Sequence, residues 1–582
     1  MRVANINRSF LHWLAVIAIT LACISFESQW KWLSEYPDTF IIPFSDWFNV
    51  VMNWIIDNFG SFFMGISWLL EWPIWAVQKV LNWLPWSVSI FLICVVAYSA
   101  SGGRLAAFAL AATLYMVVIG YWEESMNSLS LVAISVPLAI LVGFAIGVWG
   151  FYSNRAERVI MPSLDLFQTV PAFAYLLPIL LLFGFGTVVG LIASVLYSFP
   201  PMVRNTIVGL RSVAPEVIES GLMSGATPGQ LFWQVRVRSC RKQMLLGVNQ
   251  ATMASLSMVI IASIIGGTSD IGWEVLTTIR KAQFGESLLV GMVIALMAMI
   301  IDRITFGLAQ RSGVYDPKGK DLFQRYKLWL IAGIGTVIIF VLAQVFSVLM
   351  DWPRDIVWSP GRTMNDGLNY IIINYHAQID AFKTFAFFYV MLPIKIGLQG
   401  AVSPFTWGFS LTPTHNTIYA LVTACFSLWF GLRGKTMAGV LVMLFAVFVY
   451  FGLTNIPWPC VILIYGVIGW KVGGRNLGIG TMLGFGFMAV TGNWTEAMLS
   501  IYLCGIAAII SFVFGTSVGI WAAHNDRVSA FVRPINDTMQ TMPLFVILIP
   551  FIMVFKIGEF TGLLAIIAYA FVPAIRYAEH GL

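Results

Sequence analysis

Residues 215–267 read PEVIESGLMSGATPGQLFWQVRVRSCRKQMLLGVNQATMASLSMVIIASIIGG. The stretch opens on a short polar helix in an otherwise apolar chain. Pro215 suits a first helical turn, and Glu216 and Glu219 suit its positive end. Gly221 and Gly225 are four residues apart and are expected to share one bare helical face, close enough for another protein's backbone to approach. Thr227-Pro228-Gly229 stops the helix. Arg236, Arg238, Arg241 and Lys242 then lead into an apolar run from Met244 to Ile265. A short helix in a basic loop between membrane spans is suited to being gripped from the cytoplasm.

Composition supports that setting. The chain has 582 residues, is 59% hydrophobic and 10% charged, and has a mean hydropathy of +0.85. Soluble domains carry about 25% charged residues. The sequence is therefore that of an all-α polytopic membrane protein, since open sheet edges are not tolerated in lipid. The net charge of +6 follows from basic loops on one side of the membrane and gives no reason to expect nucleic acid as a partner. Cys23, Cys94, Cys240, Cys425, Cys460 and Cys504 lie far apart without a CxxC, which argues against a disulfide framework or a zinc site. The histidines show no metal-ligand spacing.

About 16 apolar runs alternate with short polar loops. With the N-terminus inside, the inner loops hold Arg2 and Arg8, Arg104, Arg155 and Arg158, Arg204 to Lys242, Arg303 to Lys327, Arg433 and Lys435, Lys471 and Arg475, Arg527 and Arg533, and Arg576. Acidic residues such as Glu35, Glu124, Glu496 and Glu559 fall outside, so the positive-inside rule is met at every turn. Residues 10–26 read as an uncleaved signal anchor. The Trp-rich residues 45–85, and the similar 366–408, fit helices lying in the outer interface. An aromatic belt accounts for them better than a cage for a quaternary ammonium ion.

The second half repeats the first. An offset of 372 takes Trp86 to Trp458, Trp122 to Trp494, Arg155 to Arg527, Asp165 to Asp537, Pro171 to Pro543, Pro178 to Pro550 and Arg204 to Arg576. Matched Trp, Pro and Arg mark a tandem duplication rather than shared composition. The expected division is 1–128 (signal anchor, interfacial helices and accessory spans), 129–311 (first core with the polar loop) and 312–327 (cytoplasmic linker). Residues 328–493 are accessory spans of the second half, and 494–582 are a second, incomplete core. The first core runs on past Leu210 through the loop, whereas its counterpart Leu582 is the last residue. Carrying the register forward predicts a longer protein, ending near about 683, with a second such loop near about 591.

Residues 215–267 resemble the EAA loop of ABC-importer permeases, with the triplet reading Glu219-Ser220-Gly221 and Gly225 downstream. GATPGQLFWQV, GVNQATMASLSMVIIASIIGG and Asp302-Arg303-Ile304-Thr305 are similar to the glycine betaine/proline type, over about Trp122 to Thr305. Arg238 and Lys242 stand where family members usually carry prolines. The resemblance implies a permease subunit of the bacterial inner membrane. It implies that Glu216, Glu219, Ser220, Gly221, Gly225, Ala226, Thr227 and Pro228 dock onto a dimer of ABC ATPase subunits. A periplasmic or extracellular substrate-binding protein would deliver a compatible solute or quaternary amine, such as glycine betaine, proline betaine, choline or trimethylamine N-oxide. No cofactor is implied. Gly434-Lys435-Thr436 resembles a Walker A ending but lacks the upstream glycine, so ATP must be hydrolysed by another chain.

Gln168, Thr169 and Pro171, with their copies Gln540, Thr541 and Pro543, sit where prolines interrupt a helix. They either line the translocation path, as the resemblance implies, or form kinks bonded across helices. Asn249 and Gln250 are placed at an inner gate, and Asp302 with Arg303 in an inner-surface ion pair. The rival reading is an ion-gradient-driven secondary transporter of small zwitterions. It needs charged residues at span centres, whereas those here sit at helix ends.

Overall fold

The structure is a computed structural model describing residues 2–27, 29–266, 269–311, 322–434, 436–541 and 544–582. The regular structure among them is helical. The first half comprises α1 (Arg2–Phe26), α2 (Phe44–Trp83), α3 (Trp86–Ser101), α4 (Gly103–Ile119), α5 (Trp122–Tyr152), α6 (Asn154–Thr169), α7 (Ala172–Phe183) and α8 (Thr187–Arg211). After it come α9 (Pro215–Met223), α10 (Arg241–Gly266), α11 (Ile271–Arg280) and α12 (Phe284–Arg311). The second half comprises α13 (Leu322–Val345), α14 (Gly361–Asn374), α15 (His376–Ala401), α16 (Pro413–Leu432), α17 (Thr436–Phe451) and α18 (Trp458–Val490). It ends with α19 (Trp494–His524), α20 (Asp526–Thr541), α21 (Leu544–Phe555) and α22 (Glu559–Gly581).

Among the described residues, eight helices are long and apolar enough to cross a membrane, or up to ten if each bent pair is one span. The sequence reading of about 16 runs is higher because it counts shorter or broken segments as spans. The run at 164–183, for instance, is two helices, α6 and α7, bent by 96° at Val170-Pro171. The runs at 457–471 and 476–492 are, as read, two helices: α18 turns back on itself at Gly473 and Gly474, so that a Cβ added to Gly466 would lie 2.4 Å from Met482.

The duplication is visible as a repeated helix seam. A Cβ added to Gly143 of α5 would lie 2.7 Å from Met202 Cβ, and one on Gly147 2.6 Å from Thr206 Cβ, both on α8. At their copies the same holds: Gly515 meets Ala574 at 2.7 Å, and Gly519 meets the Ile575 carbonyl oxygen at 2.5 Å. Small residues four apart let two helix backbones approach closely, so each half is built on one tightly packed pair, α5 with α8 and α19 with α22.

The segments ahead of these cores are also duplicated, at an offset the core does not share. Trp458 Nε1 donates to the Trp32 carbonyl and Trp86 Nε1 to the Val348 carbonyl, both at 2.9 Å. Ile42 N donates to Val490 O and Trp358 N to Val118 O, again at 2.9 Å. Ser67 Oγ and Lys383 Nζ donate to the carbonyls of Phe183 and Phe555. One member of each pair moves by 372 and the other by 316, which also matches Trp13 with Trp329, Pro37 with Pro353 and Lys79 with Lys395. The leading helices are thereby exchanged. α1 opens the first half of the chain yet packs on α17 and α18 through Trp13, Val16, Val440, Leu444 and Ile464. α13 packs on α3, where Gly335 faces the Phe91 ring.

Two compact units result, one of Met1–Trp54, Asn374–His524 and Phe555–Leu582, the other of Ile55–Ile373 and Asn525–Val554. Within the first, α15 is long and apolar enough to span. Lys383 bonds the Phe555 carbonyl at 3.1 Å and Lys395 pairs with Glu559 at 2.6 Å, so positions twelve residues apart touch the same turn. Within the second, Ser67 and Met64 of α2 meet the equivalent turn at Phe183 and Gly184.

Candidate coupling loop and transport path

α9 has Pro215 in its first turn and Glu216 beside it, as its sequence dictates. Its end is a glycine cap: Gly225 lies beyond the helix with φ +77°, Gly225 N donates to Leu222 O and Ala226 N to Gly221 O. Gly221 faces the chain's own Leu231 and Val235, at 3.0 and 3.2 Å from an added Cβ. The two glycines therefore do not form one bare face, contrary to the sequence expectation. One caps the helix and the other lets the next turn fold back against it. Thr227 then caps the following turn in a reciprocal box with Gln230, ahead of Pro228. The outward surface is made instead by Glu216, Val217, Glu219, Ser220, Leu222 and Met223, the last 92% exposed.

The loop is tied to the spans behind it. Ile218 of α9 packs into a cluster with Leu210, Val213, Phe232 and Met244. Phe232 lies against Tyr152, Trp233 against Phe144, and the Arg236 guanidinium 5.2 Å from the Phe151 ring centroid. α8 is gripped on a second side by α10, because Gly247 leaves only 2.8 Å between an added Cβ and Asn205 Cβ. A push on α9 thus reaches α5, α8 and α10 through close-packed contacts that compress little.

The expected path residues fall into separate settings. Gln168, Thr169 and Pro171 are exposed at the α6–α7 bend. There Thr169 Oγ1 donates to its own helix at Leu166 O, 3.0 Å away, and Tyr175 donates to the Phe167 carbonyl across the break. Pro543 and the side chains of Gln540 and Thr541 lie outside the described residues. Asn249 accepts from Thr305 and donates to Asp302 Oδ1 at 3.5 Å, beside a cavity of about 740 Å³ lined by Ser212, Lys242, Gln243 and Phe306. Gln250 turns to α8, its Oε1 accepting from Asn205 Nδ2 at 2.9 Å, while Asn205 Oδ1 accepts from Gln243 at 2.7 Å.

Arg303 does not pair with Asp302, as the sequence reading had it. It reaches Asp537 on α20 at 3.5 Å, while Asp302 bonds Asn249. Val546 and Ile549 of α21 also fill the space beside Gly291 of α12. α20 and α21 of the second half therefore pack on the last helix of the first core. The copy of Asp537 is Asp165, which pairs with Arg204.

A buried polar hub holds the opposite end of the first core. Asn127 Oδ1 accepts from Gln78 and Asn82, both at 2.8 Å, and its Nδ2 donates to Ser269 O at 2.7 Å. Next to it, buried Asp270 caps α11 by accepting from Trp273 N at 3.0 Å. Burial pushes the Asp270 carboxyl above the ordinary carboxylate range, against the opposing pull of bonds from Trp273, Ser263 and Gly272.

A polytopic helical protein with two seamed cores and an exposed loop helix is a transport permease with its two halves in one chain. The chain belongs to the ABC permease family described as binding-protein-dependent transport system inner membrane component, which it matches over residues 135–312 and 515–582, one region in each half. It is 28% identical over 563 residues to the trimethylamine N-oxide transport system permease protein TmoV of Ruegeria pomeroyi, covering 95% of this chain and 77% of that one. TmoV of Pelagibacter ubique is 29% identical over 507 residues, covering 86% of this chain and 63% of its own length. The glycine betaine transport system permease protein OpuAB of Bacillus subtilis is 34% identical over 264 residues, covering 45% and 93%.

Proposed function

We propose that this chain is the permease subunit of an ATP-driven, binding-protein-dependent importer of trimethylamine N-oxide or a related small quaternary amine. The observation that carries the reading is the exposed α9 helix, begun at Pro215, closed by the Gly225 cap and packed through Ile218 onto helices that run back into the core. A substrate-binding protein delivers solute at the outer face. A pair of ATPase subunits engages the cytoplasmic loops through Glu216, Glu219, Ser220 and the side chains around them, and their closure rocks the cores between inward and outward access. The proline bends near Gln168 and Thr169 line the path. The charge distribution of the loops supports a cytoplasmic N-terminus. The solute class is supported by the relatives named for trimethylamine N-oxide and glycine betaine.

Met223→Asp tests the docking. Burying a methionine side chain is worth about 1.5–3 kcal/mol, and Met223 is 92% exposed in this chain. The variant should insert normally, lose at least about tenfold in ATPase co-purification, and lose ATP-driven uptake of labelled trimethylamine N-oxide. Full ATPase binding by the variant, or uptake driven by an ion gradient without ATP, refutes the reading.

A further inference from the structure

Cys23 and Cys460 are 437 positions apart, and the exchange of the leading helices brings them together. Cys23 lies one turn from the end of α1, and Cys460 is in the first turn of α18. Both pack in one cluster with Ile456, Val461 and Met498, near enough for the two thiols to interact. Cys460 is 1% exposed and Cys23 is half-exposed. The bond from Trp458 Nε1 to the Trp32 carbonyl holds the two segments together just beyond the thiols. At the equivalent points of the other leading segment the register places Ile339 and Val88, so that docking is made without thiols.

We propose that Cys23 and Cys460 are a modification site, oxidised to a disulfide that staples α1 to the second half of the chain. The proposal rests on the orientation given above, which puts this end of both helices at the oxidising, periplasmic face. The oxidant is a periplasmic protein disulfide acting by thiol–disulfide exchange. The half-exposed Cys23, as thiolate, attacks one donor sulfur, forming a mixed disulfide and releasing the other donor sulfur as a thiolate. Cys460 then gives up its proton to the released donor sulfur as it displaces the donor from Cys23. The chain loses two electrons, the donor disulfide gains them as a dithiol, and the two protons of Cys23 and Cys460 pass to the donor sulfurs. The sequence reading argued against a disulfide framework from spacing, and spacing carries no information about which distant helices dock.

The full chain is tested in cells quenched with acid, dissolved in SDS and tagged on free thiols with polyethylene glycol maleimide, with and without prior reduction. Of the six cysteines, four should be tagged without reduction and six after it. Cys23→Ser or Cys460→Ser should each show five tags in both states. In cells lacking the periplasmic dithiol oxidase, the wild-type chain should show six tags throughout. Six tags on the unreduced wild-type chain from oxidase-containing cells overturn the proposal. In parallel, Glu35→Cys is probed with a membrane-impermeant maleimide. Labelling from outside together with six tags sinks the disulfide and leaves the orientation standing, whereas labelling only after lysis sinks the orientation and this proposal with it.

Discussion

Gly147→Ala tests whether the α5–α8 seam is a rigid element of transport. An added Cβ would stand 2.6 Å from Thr206 Cβ, 2.8 Å from Thr206 Cγ2 and 3.1 Å from the Val203 carbonyl oxygen. Ordinary contact begins near 3.4 Å, so the helices must separate by about 0.8 Å. The neighbours cannot simply turn aside, because Gly143 sits equally tight against Met202 and the Phe199 carbonyl, and Gly150 against Ile207. Overpacking of this kind costs about 1–3 kcal/mol. Replacing a helical glycine by alanine returns up to about 1 kcal/mol. The net expectation is a loss of about 1–2 kcal/mol, read as a lower thermal midpoint in detergent, with a fall in ATP-driven uptake because the seam carries motion from α9. Gly519→Ala, whose Cβ would meet the Ile575 carbonyl at 2.5 Å, should act in the same direction. Gly333→Ala, with nothing within 4 Å, should leave the midpoint unchanged or raise it. A Gly147→Ala protein as stable and as active as wild type would refute the reasoning.

Asp270→Asn keeps the acceptor for Trp273 N–H and removes a buried charge. Burial holds this carboxyl's folded-state pKa above its unfolded one, so ionisation subtracts stability as pH rises through the folded value, and the deficit vanishes below the unfolded value. The gain of Asp270→Asn over wild type should therefore be larger at about pH 8 than at about pH 4, and a pH-independent gap counts against it. Asp270→Ala also loses the helix cap and should be about 1 kcal/mol less stable than Asp270→Asn by thermal or denaturant melting. The Arg303–Asp537 pair is 49% and 36% exposed, so Arg303→Ala should cost under about 1 kcal/mol in thermal stability. Uptake lost in Arg303→Asp should be partly restored by adding Asp537→Arg, and a double variant worse than both single ones would show that the contact does not position α20.

The amino-acid sequence by itself determined the helical, membrane-embedded class, the duplicated core and the loop at 215–229. These are legible because hydropathy, charge bias and the placement of Pro, Trp and Gly act locally, within one span or one turn, and leave their mark in the order of residues. The α6–α7 break follows from Pro171 alone, and the core offset from matched prolines and tryptophans. The tertiary structure decided what those elements touch. Gly221 and Gly225 have the same spacing as Gly143 and Gly147, yet only the second pair is a helix seam, because α8 lies against it while Gly225 is already past the end of α9. The exchange of α1 and α13, the reach of Arg303 to Asp537 and the meeting of Cys23 with Cys460 involve residues hundreds of positions apart. Such pairings are selected by packing between whole helix faces, where many alternatives have the same local periodicity, and a single sequence does not rank them.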